Sequence, residues 1–210
     1  MKLFAVVASG LFVLTAGQGF GTVQEAPANL RPTRDVELDI ATTRHVAGRT
    51  ERLIGRAAWL VAADLVRIET KGIPGWMLLD RKRGRAVMVM DDQRVAVPLP
   101  SEMAGLVLRE VPSDAPFSRQ GTDTVAGHAC VIWRVALPHG DSAVCLTGDG
   151  VMLRWTPITP SSAPALMSKV EVTAVSYGAQ DPARFRVPAG YVTMELPRTE
   201  TLDTAPLPAR

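Results

Sequence analysis

Apolar and polar residues trade places one by one along most of this chain, in short runs that Gly, Pro and Asp keep interrupting. Val36, Leu38 and Ile40 alternate with Glu37, Asp39 and Ala41; Leu65, Arg67 and Glu69 alternate with Val66, Ile68 and Thr70. A period of two places alternate side chains on opposite faces of an extended strand. Arg49 to Leu60 is less clean, with Leu53, Gly55, Ala57 and Trp59 in one phase and Arg52, Ile54, Arg56 and Ala58 in the other. Further runs follow at Trp76–Leu79, Ala86–Met90, Arg94–Val97, Val131–Ala136, Val151–Trp155, Lys169–Tyr177 and Tyr191–Leu196. Turn chemistry separates them: Ala62-Ala63-Asp64, the polar stretch Asp80–Arg85 with Gly84, Asp91-Asp92-Gln93 and Asp149-Gly150. With 17 Gly and 16 Pro in 210 residues, long helices are disfavoured.

Helical signal is confined to two places. Ser101 can cap a short helix bearing Met103, Leu106 and Val107, and Asp181-Pro182 reads as an N-cap with Pro at the first helical position. About ten short strands joined by hairpins predict a mainly β chain. The expected architecture is one large curved antiparallel sheet, a half-open barrel, with few short helices. An apolar face without a helical cover must be buried by curling, by a ligand or by a partner. Trp133 and Trp155 fall in the same phase of their strands, with Arg134 and Arg154 in the other. Trp59, Trp76, Met88, Met90, Trp133 and Trp155 are the candidate lining for an apolar ligand, since Met adapts to irregular shapes. The pattern alone leaves open whether they line a pocket or fill a core.

The chain starts with Lys2 followed by an apolar run from Leu3 to Ala16. A membrane-spanning helix needs about 20 apolar residues. This shorter run after a basic start reads as a secretory signal over residues 1–21, with Ala16, Gly17 and Gly21 all offering cleavage sites. Export to the periplasm is expected, with no integral span after cleavage. Residues 22–34 read as an N-terminal linker, 35–196 as the β-rich domain and 197–210 as a loose tail. Cys130 and Cys145 are the only cysteines and flank the turn signal Pro138-His139-Gly140-Asp141. In an oxidising compartment they are expected to form one disulfide across a hairpin.

Chemistry is thin. No nucleophile elbow, phosphate loop or zinc-protease motif is present, and the three histidines show no metal-ligand spacing. No catalytic residue, metal site or cofactor is therefore expected. A net charge of +2 with 5% aromatic residues gives no basis for a nucleic-acid partner. The one dense basic run, Arg81, Lys82, Arg83 and Arg85, reads as a solvated loop or as a contact for anionic lipid headgroups.

Several stretches together resemble a group of exported bacterial proteins of unknown function, similar to the LolA/LolB/RseB lipoprotein-carrier fold. Leu78-Leu79-Asp80 with the basic loop and Ala86–Met90 is similar to its strand–Asp–hairpin segment. Gly121 to Cys130, GTDTVAGHAC, resembles its "G…VAG…C" segment, and Cys145 to Arg154, CLTGDGVMLR, its "C…DGV.LR" segment. Phe185 to Tyr191, FRVPAGY, is similar to its "F.VP.GY" ending. The resemblance covers roughly residues 35–196. It implies a half-open antiparallel barrel, helices plugging its concave side and an apolar cavity for acyl chains. Unlike the carriers, residues 22–34 give no N-terminal helix, and no cysteine near the start offers an acylation site. The expected function is a non-enzymatic periplasmic binding or carrier-like protein for a lipidic or hydrophobic ligand. The alternative is a protein-interaction or envelope-stress module of RseB-like kind, whose partner is an envelope protein.

Overall fold

A computed structural model of the chain describes residues 25–46, 48–99, 111–138, 140–158 and 168–194. The expected signal segment 1–21, the helix from Ser101, His139 and the tail 197–210 lie outside the described residues. Twelve strands form one sheet: β1 (Val36–Val46), β2 (Arg49–Leu60), β3 (Leu65–Thr70), β4 (Trp76–Asp80), β5 (Arg85–Met90), β6 (Val95–Leu99), β7 (Phe117–Val125), β8 (His128–Val135), β9 (Ser142–Leu146), β10 (Met152–Pro157), β11 (Lys169–Tyr177) and β12 (Val192–Thr193). Their spatial order is β12-β6-β5-β4-β3-β2-β1-β11-β10-β9-β8-β7, so the sheet has two ends and is not closed. Two hairpin meanders, β1–β6 and β7–β11, are zipped together where β1 pairs with β11, Val36 opposite Tyr177 and Thr43 opposite Lys169.

The first meander shows why the alternation matters. Cross-strand register puts Val36, Trp59, Val66, Leu79, Ala86 and Leu99 in one row on one face. The next row on that face is Leu38, Ala57, Ile68, Met77, Met88 and Val97. We call this face the inner one. Val66, Leu79 and Ala86 are buried on it, with Trp59, Ile68 and Met77 packed alongside. The outer face carries Glu37, Ala58, Arg67 and Leu78 in register.

The turn residues do what their chemistry predicts. Asp64 closes the β2–β3 connection in the left-handed region at φ 54, one of three non-glycine residues at positive φ among those described. Ala126 and Gly127, both at positive φ, make the two-residue β7–β8 turn, which suits the twist of a hairpin. Asp181 accepts a hydrogen bond from the Ala183 amide and Pro182 opens a 3-10 turn over Pro182–Phe185, which lays the buried Phe185 beside β3.

One pairing departs from the antiparallel expectation. β12 runs parallel to β6, with Val192 opposite Val95. The chain leaves β11 and crosses the outer face, where Arg67 donates to the Arg184 carbonyl and Arg184 pairs with Glu37. Such a crossover delivers the last strand to the far edge pointing the same way as its neighbour. Where the sequence expects a strand over Tyr191–Leu196, only Val192–Thr193 is paired, and residues 195 and 196 lie outside the described part.

In the second meander Trp133, Val144 and Trp155 stand side by side in register. With Phe117, Val135 and Leu146 they form a buried cluster, and Phe117 meets the Trp133 ring edge-on. Arg134 and Arg154 point the other way, onto Asp141 and onto Asp123 and Glu171 respectively. The Arg154–Asp123 pair spans two intervening strands, and His128 of β8 meets Tyr177 of β11 edge-on, so this half of the sheet curls strongly. Cys130 of β8 and Cys145 of β9 are joined by a disulfide, as the spacing predicts.

Candidate apolar binding cavity

The sequence phase Leu53, Gly55, Ala57, Trp59 puts two small residues at the middle of β2 on the inner face. Neighbouring strands carry larger side chains at the same level: Leu38 opposite Ala57, Ile40 opposite Gly55 and Ile68 on the other side of Ala57. Gly55 and Ala57 are among the residues that line a cavity of about 460 Å³, with Ile40, Leu53 and Trp59 beside them. Its far wall comes from the second half of the chain, through Leu146, Val151, Met152, Val170 and Val172. All three buried clusters reach the cavity, through Leu38 and Val172, Leu146, and Ile68 and Trp59 respectively.

A strap closes one side. Leu30, Arg31 and Pro32 line the cavity from the segment before β1. Sequence reading gives residues 22–34 as a loose linker, and residues 25–34 indeed hold no helix or strand. They are nonetheless docked on the β9–β10 turn. Asn29 donates to the Gly148 carbonyl at 2.9 Å, the Thr33 amide donates to the Asp149 carbonyl at 3.0 Å, and Arg34 pairs with the Asp149 carboxylate at 2.9 Å. Leu30 packs on the tryptophan cluster. These contacts join residues more than a hundred positions apart, so no local pattern announces them.

Asp149 is the hub of this dock. It accepts from the Thr147 and Tyr177 hydroxyls as well as from Arg34, whose guanidinium also lies 3.6 Å over the Tyr177 ring. Partial burial alone would raise its carboxyl, but the three donors outweigh that and hold it below the usual aspartate value. Burial, then the Asp149 carboxylate, push the Tyr177 hydroxyl upward.

The charged residues of the cavity wall are four arginines, each with a carboxylate partner, and Glu69, which pairs with Arg67. Arg44 pairs with Glu51 at 2.8 Å, and Arg56 with Asp39 at 3.1 Å and Glu37 at 3.4 Å. Arg31 and Arg81 share one carboxylate, each lying 3.6 Å from Asp64. Among the described residues no group of three or more His, Cys, Asp or Glu side chains converges as a metal site would require. No described helix is long and apolar enough to cross a membrane.

The candidate lining residues are spread over both faces of the sheet. Trp59 lines the cavity. Met88 sits on the inner face in the row of Leu38 and Ala57, three strands beyond Ala57, and Met90 is the next inner residue of β5; neither lines the cavity. Trp133 and Trp155 fill the core of the second meander. Trp76 belongs to the outer face, opposite Glu69 and Val89, where Arg67 stacks on its ring at 3.8 Å and Asp91 accepts from its indole. The basic run is divided too. Arg81 is folded into the cavity wall with its side chain 7% exposed, Arg83 is held by Asp80 at 2.6 Å, Lys82 donates to the Ala62 carbonyl, and Arg85 is exposed. Sequence reasoning overlooked Leu38, Ile40, Gly55 and Ala57, although the small pair within an otherwise bulky phase was visible.

No known protein family matches the chain, and no curated protein matches it. Solved structures do. An uncharacterized conserved protein from Thermus thermophilus superposes with a TM-score of 0.52 at 10% identity, over 78% of this chain and 91% of that one. The MucA/MucB complex of Pseudomonas aeruginosa gives 0.47 at 15% identity, over 74% of this chain and 56% of that one. A LolA superfamily protein from Nitrosomonas europaea gives 0.41 at 9% identity, over 75% and 92%. This chain thus spans little more than half of the MucB-complex chain it matches. At 10% identity the likeness to the Thermus thermophilus protein is one of fold alone.

Proposed function

We propose that this protein is a non-enzymatic, carrier-like binding protein of the periplasm, and that the cavity over β1, β2 and β3 takes up one apolar chain. The observation that carries the reading is the cavity itself, lined by Ile40, Leu53 and Trp59 and walled from the second half of the chain by Met152 and Val170. The volume of about 460 Å³ lies inside the roughly 300–1,000 Å³ range of small-molecule sites. Leu53 and Trp59, both lining residues, are six positions apart on β2, or roughly 20 Å at about 3.3 Å per residue. That exceeds the roughly 15 Å of one leaflet's hydrocarbon, half of the roughly 30 Å core.

Magnitudes favour a well-enclosed chain. Fourteen buried methylenes at about 0.8 kcal/mol each supply roughly 11 kcal/mol. Association costs roughly 4–15 kcal/mol, so a chain held along only half its length would not stay. The test is purification of the native protein from the periplasm of its own host, followed by organic extraction and mass spectrometry. Near-stoichiometric lipid is expected, and a lipid-free protein that also fails to take up lipid when offered refutes the reading.

A second reading has one observation behind it. The β12 edge leaves Val192 and Met194 more than half exposed, which suits an interaction module of RseB-like kind that holds an envelope protein. Crosslinking in cells separates the two readings: one stoichiometric protein partner with no lipid favours the module.

A further inference from the structure

Among the described residues the buried polar ones are Ser142, Thr147 and Ser168. Thr147 donates to Asp149 and accepts from the Val151 amide. Ser142, in β9, does not line the cavity. Ser168, just before β11, is 5% exposed and does line it. Among the described residues its hydroxyl has no hydrogen-bond partner. A hydroxyl buried without a partner costs free energy, so one at the wall of a cavity calls for a polar atom on the occupant. Its place in the sheet tells which part of the occupant. Val172, Val170 and Ser168 follow one another at every second residue, and all three line the cavity. Across from them β1 sets Ile40 opposite Val172 and Thr42 opposite Val170, with Arg44 next in the same phase. β2 sets Gly55, Leu53 and Glu51 beside those three. Toward the β1–β2 hairpin the wall therefore passes from aliphatic side chains, through the hydroxyls of Thr42 and Ser168, to the half-exposed Arg44–Glu51 ion pair.

We propose, on the reading that the cavity binds an apolar chain, that its ligand is a single-chain acyl ester or amide whose neutral carbonyl accepts from the hydroxyls of Ser168 and Thr42. An acyl lipid has its parts in the same order as the wall: hydrocarbon, then a carbonyl, then a hydrated head. A hydroxyl can donate, and a carbonyl oxygen has two lone pairs, so one oxygen can serve both side chains. An ionised carboxylate at the depth of Ser168 would lose its hydration, and Arg44 already engages Glu51 through two of its nitrogens. A neutral acyl linkage avoids the cost of burying charge. The head then lies at the Arg44–Glu51 pair, which presents donors and acceptors together to solvent. The tail runs the other way along β1 and β2, past Ile40, Gly55 and Ala57.

The test uses the full chain and two probes, 1-lauroylglycerol and 1-O-dodecylglycerol, which share head and chain length and differ only in the carbonyl. Each is titrated calorimetrically below its micelle concentration. The ester is expected to bind about fivefold tighter than the ether, the factor of one ordinary hydrogen bond. Ser168→Ala should erase that preference and leave ether binding unchanged, and Thr42→Val should reduce it. Ser176→Ala, at an exposed position of β11 that does not line the cavity, should keep it. Because the Ser168 hydroxyl has no partner in the empty cavity, Ser168→Ala should not lower the melting temperature of the ligand-free chain. Equal binding of ester and ether by the parent overturns the carbonyl assignment and leaves the cavity reading standing. Binding of neither overturns both. A preference that survives both Ser168→Ala and Thr42→Val places the carbonyl elsewhere and overturns the assignment as stated. So does a preference lost in Ser176→Ala as well, since β11 as a whole would then be responsible.

Discussion

The carbonyl oxygen of Arg31 occupies the place where a side chain on Gly150 would begin: a Cβ there would lie 2.0 Å from it. Gly150 also has φ +83, in the left-handed region that glycine enters without steric cost. Two constraints thus select glycine at one position, and the backbone atom that would clash belongs to the strap. We predict that Gly150→Ala lifts the strap from the β9–β10 turn and lowers stability by about 1–3 kcal/mol, as expected of a strained backbone site. Hydrogen exchange at the Thr33 amide, which donates to Asp149, checks it. An amide still protected in a destabilised variant would show that the strap is held from elsewhere.

The same dock makes the strap sensitive to acid. The Asp149 carboxyl sits below its ordinary value in the folded state, so the unfolded chain takes up a proton at higher pH than the folded one. Its stabilisation is complete above the unfolded value of about 4 and disappears as pH falls through the lower folded value. Thermal melts should accordingly be flat in this respect from neutral pH to about 5 and decline below about 4. Asp149→Asn should be less stable than the parent at pH 7 and show a smaller decline in acid. Parallel acid profiles for the two proteins would remove Asp149 from the account.

Two substitutions in β2, two residues apart, should behave differently. Ala57 is a buried residue of the cavity lining, so Ala57→Leu should cost about 1–3 kcal/mol and lose most co-purified lipid. At Gly55 a Cβ would lie 2.6 Å from the Glu69 carbonyl oxygen, and relief requires β2 and β3 to move apart. Gly55→Ala should therefore cost about 1–3 kcal/mol, the range of overpacking. Melting curves with quantified lipid extraction separate the two effects. An Ala57→Leu protein that keeps its full lipid load would show that the chain binds somewhere else.

The strands were legible because each is a local pattern. Val36-Glu37-Leu38 and Val131-Ile132-Trp133 announce their faces within a few residues, and the shared phase of Trp133 and Trp155 survives into the buried cluster. Cys130 and Cys145 were legible for the same reason, being the two arms of one hairpin. The cavity was half legible. Gly55 and Ala57 share a phase with Leu53 and Trp59, but only the folded chain sets that phase opposite Leu146 and Val172 across a cavity. Trp76 illustrates the opposite problem. It is large and apolar, yet strand parity puts it behind the sheet, and parity relative to the cavity is known only once β3 and β4 are paired. Arg81 looks like one of four loop cations until Asp64, 17 positions earlier, draws it into the wall. The docking of the strap and the parallel pairing of β12 with β6 were illegible because the atoms that hold them, on Asp149 and on the β6 backbone, belong to distant parts of the chain.

The disulfide closes the β8–β9 hairpin with a sequence separation of 15, and both sulfurs are buried against Val125 and Leu153. In the loop-entropy account a cross-link of this length stabilises by about 3 kcal/mol. For a chain of this size about 1 kcal/mol shifts the melting temperature by roughly 2–4 °C. Replacing both cysteines with alanine should thus lower the melting temperature by roughly 6–12 °C. The cavity lies over β1–β3, and neither cysteine lines it. Affinity for a fatty-acid probe such as laurate, measured well below the transition, should therefore stay within about twofold of the parent, a difference of about 0.4 kcal/mol. A melting shift under a few degrees would mean that the strand pairing of β8 and β9 already restricts the unfolded hairpin. A large loss of affinity in a folded variant would show that the curl of the second meander, which supplies Leu146 and Val172 to the far wall, depends on the cross-link.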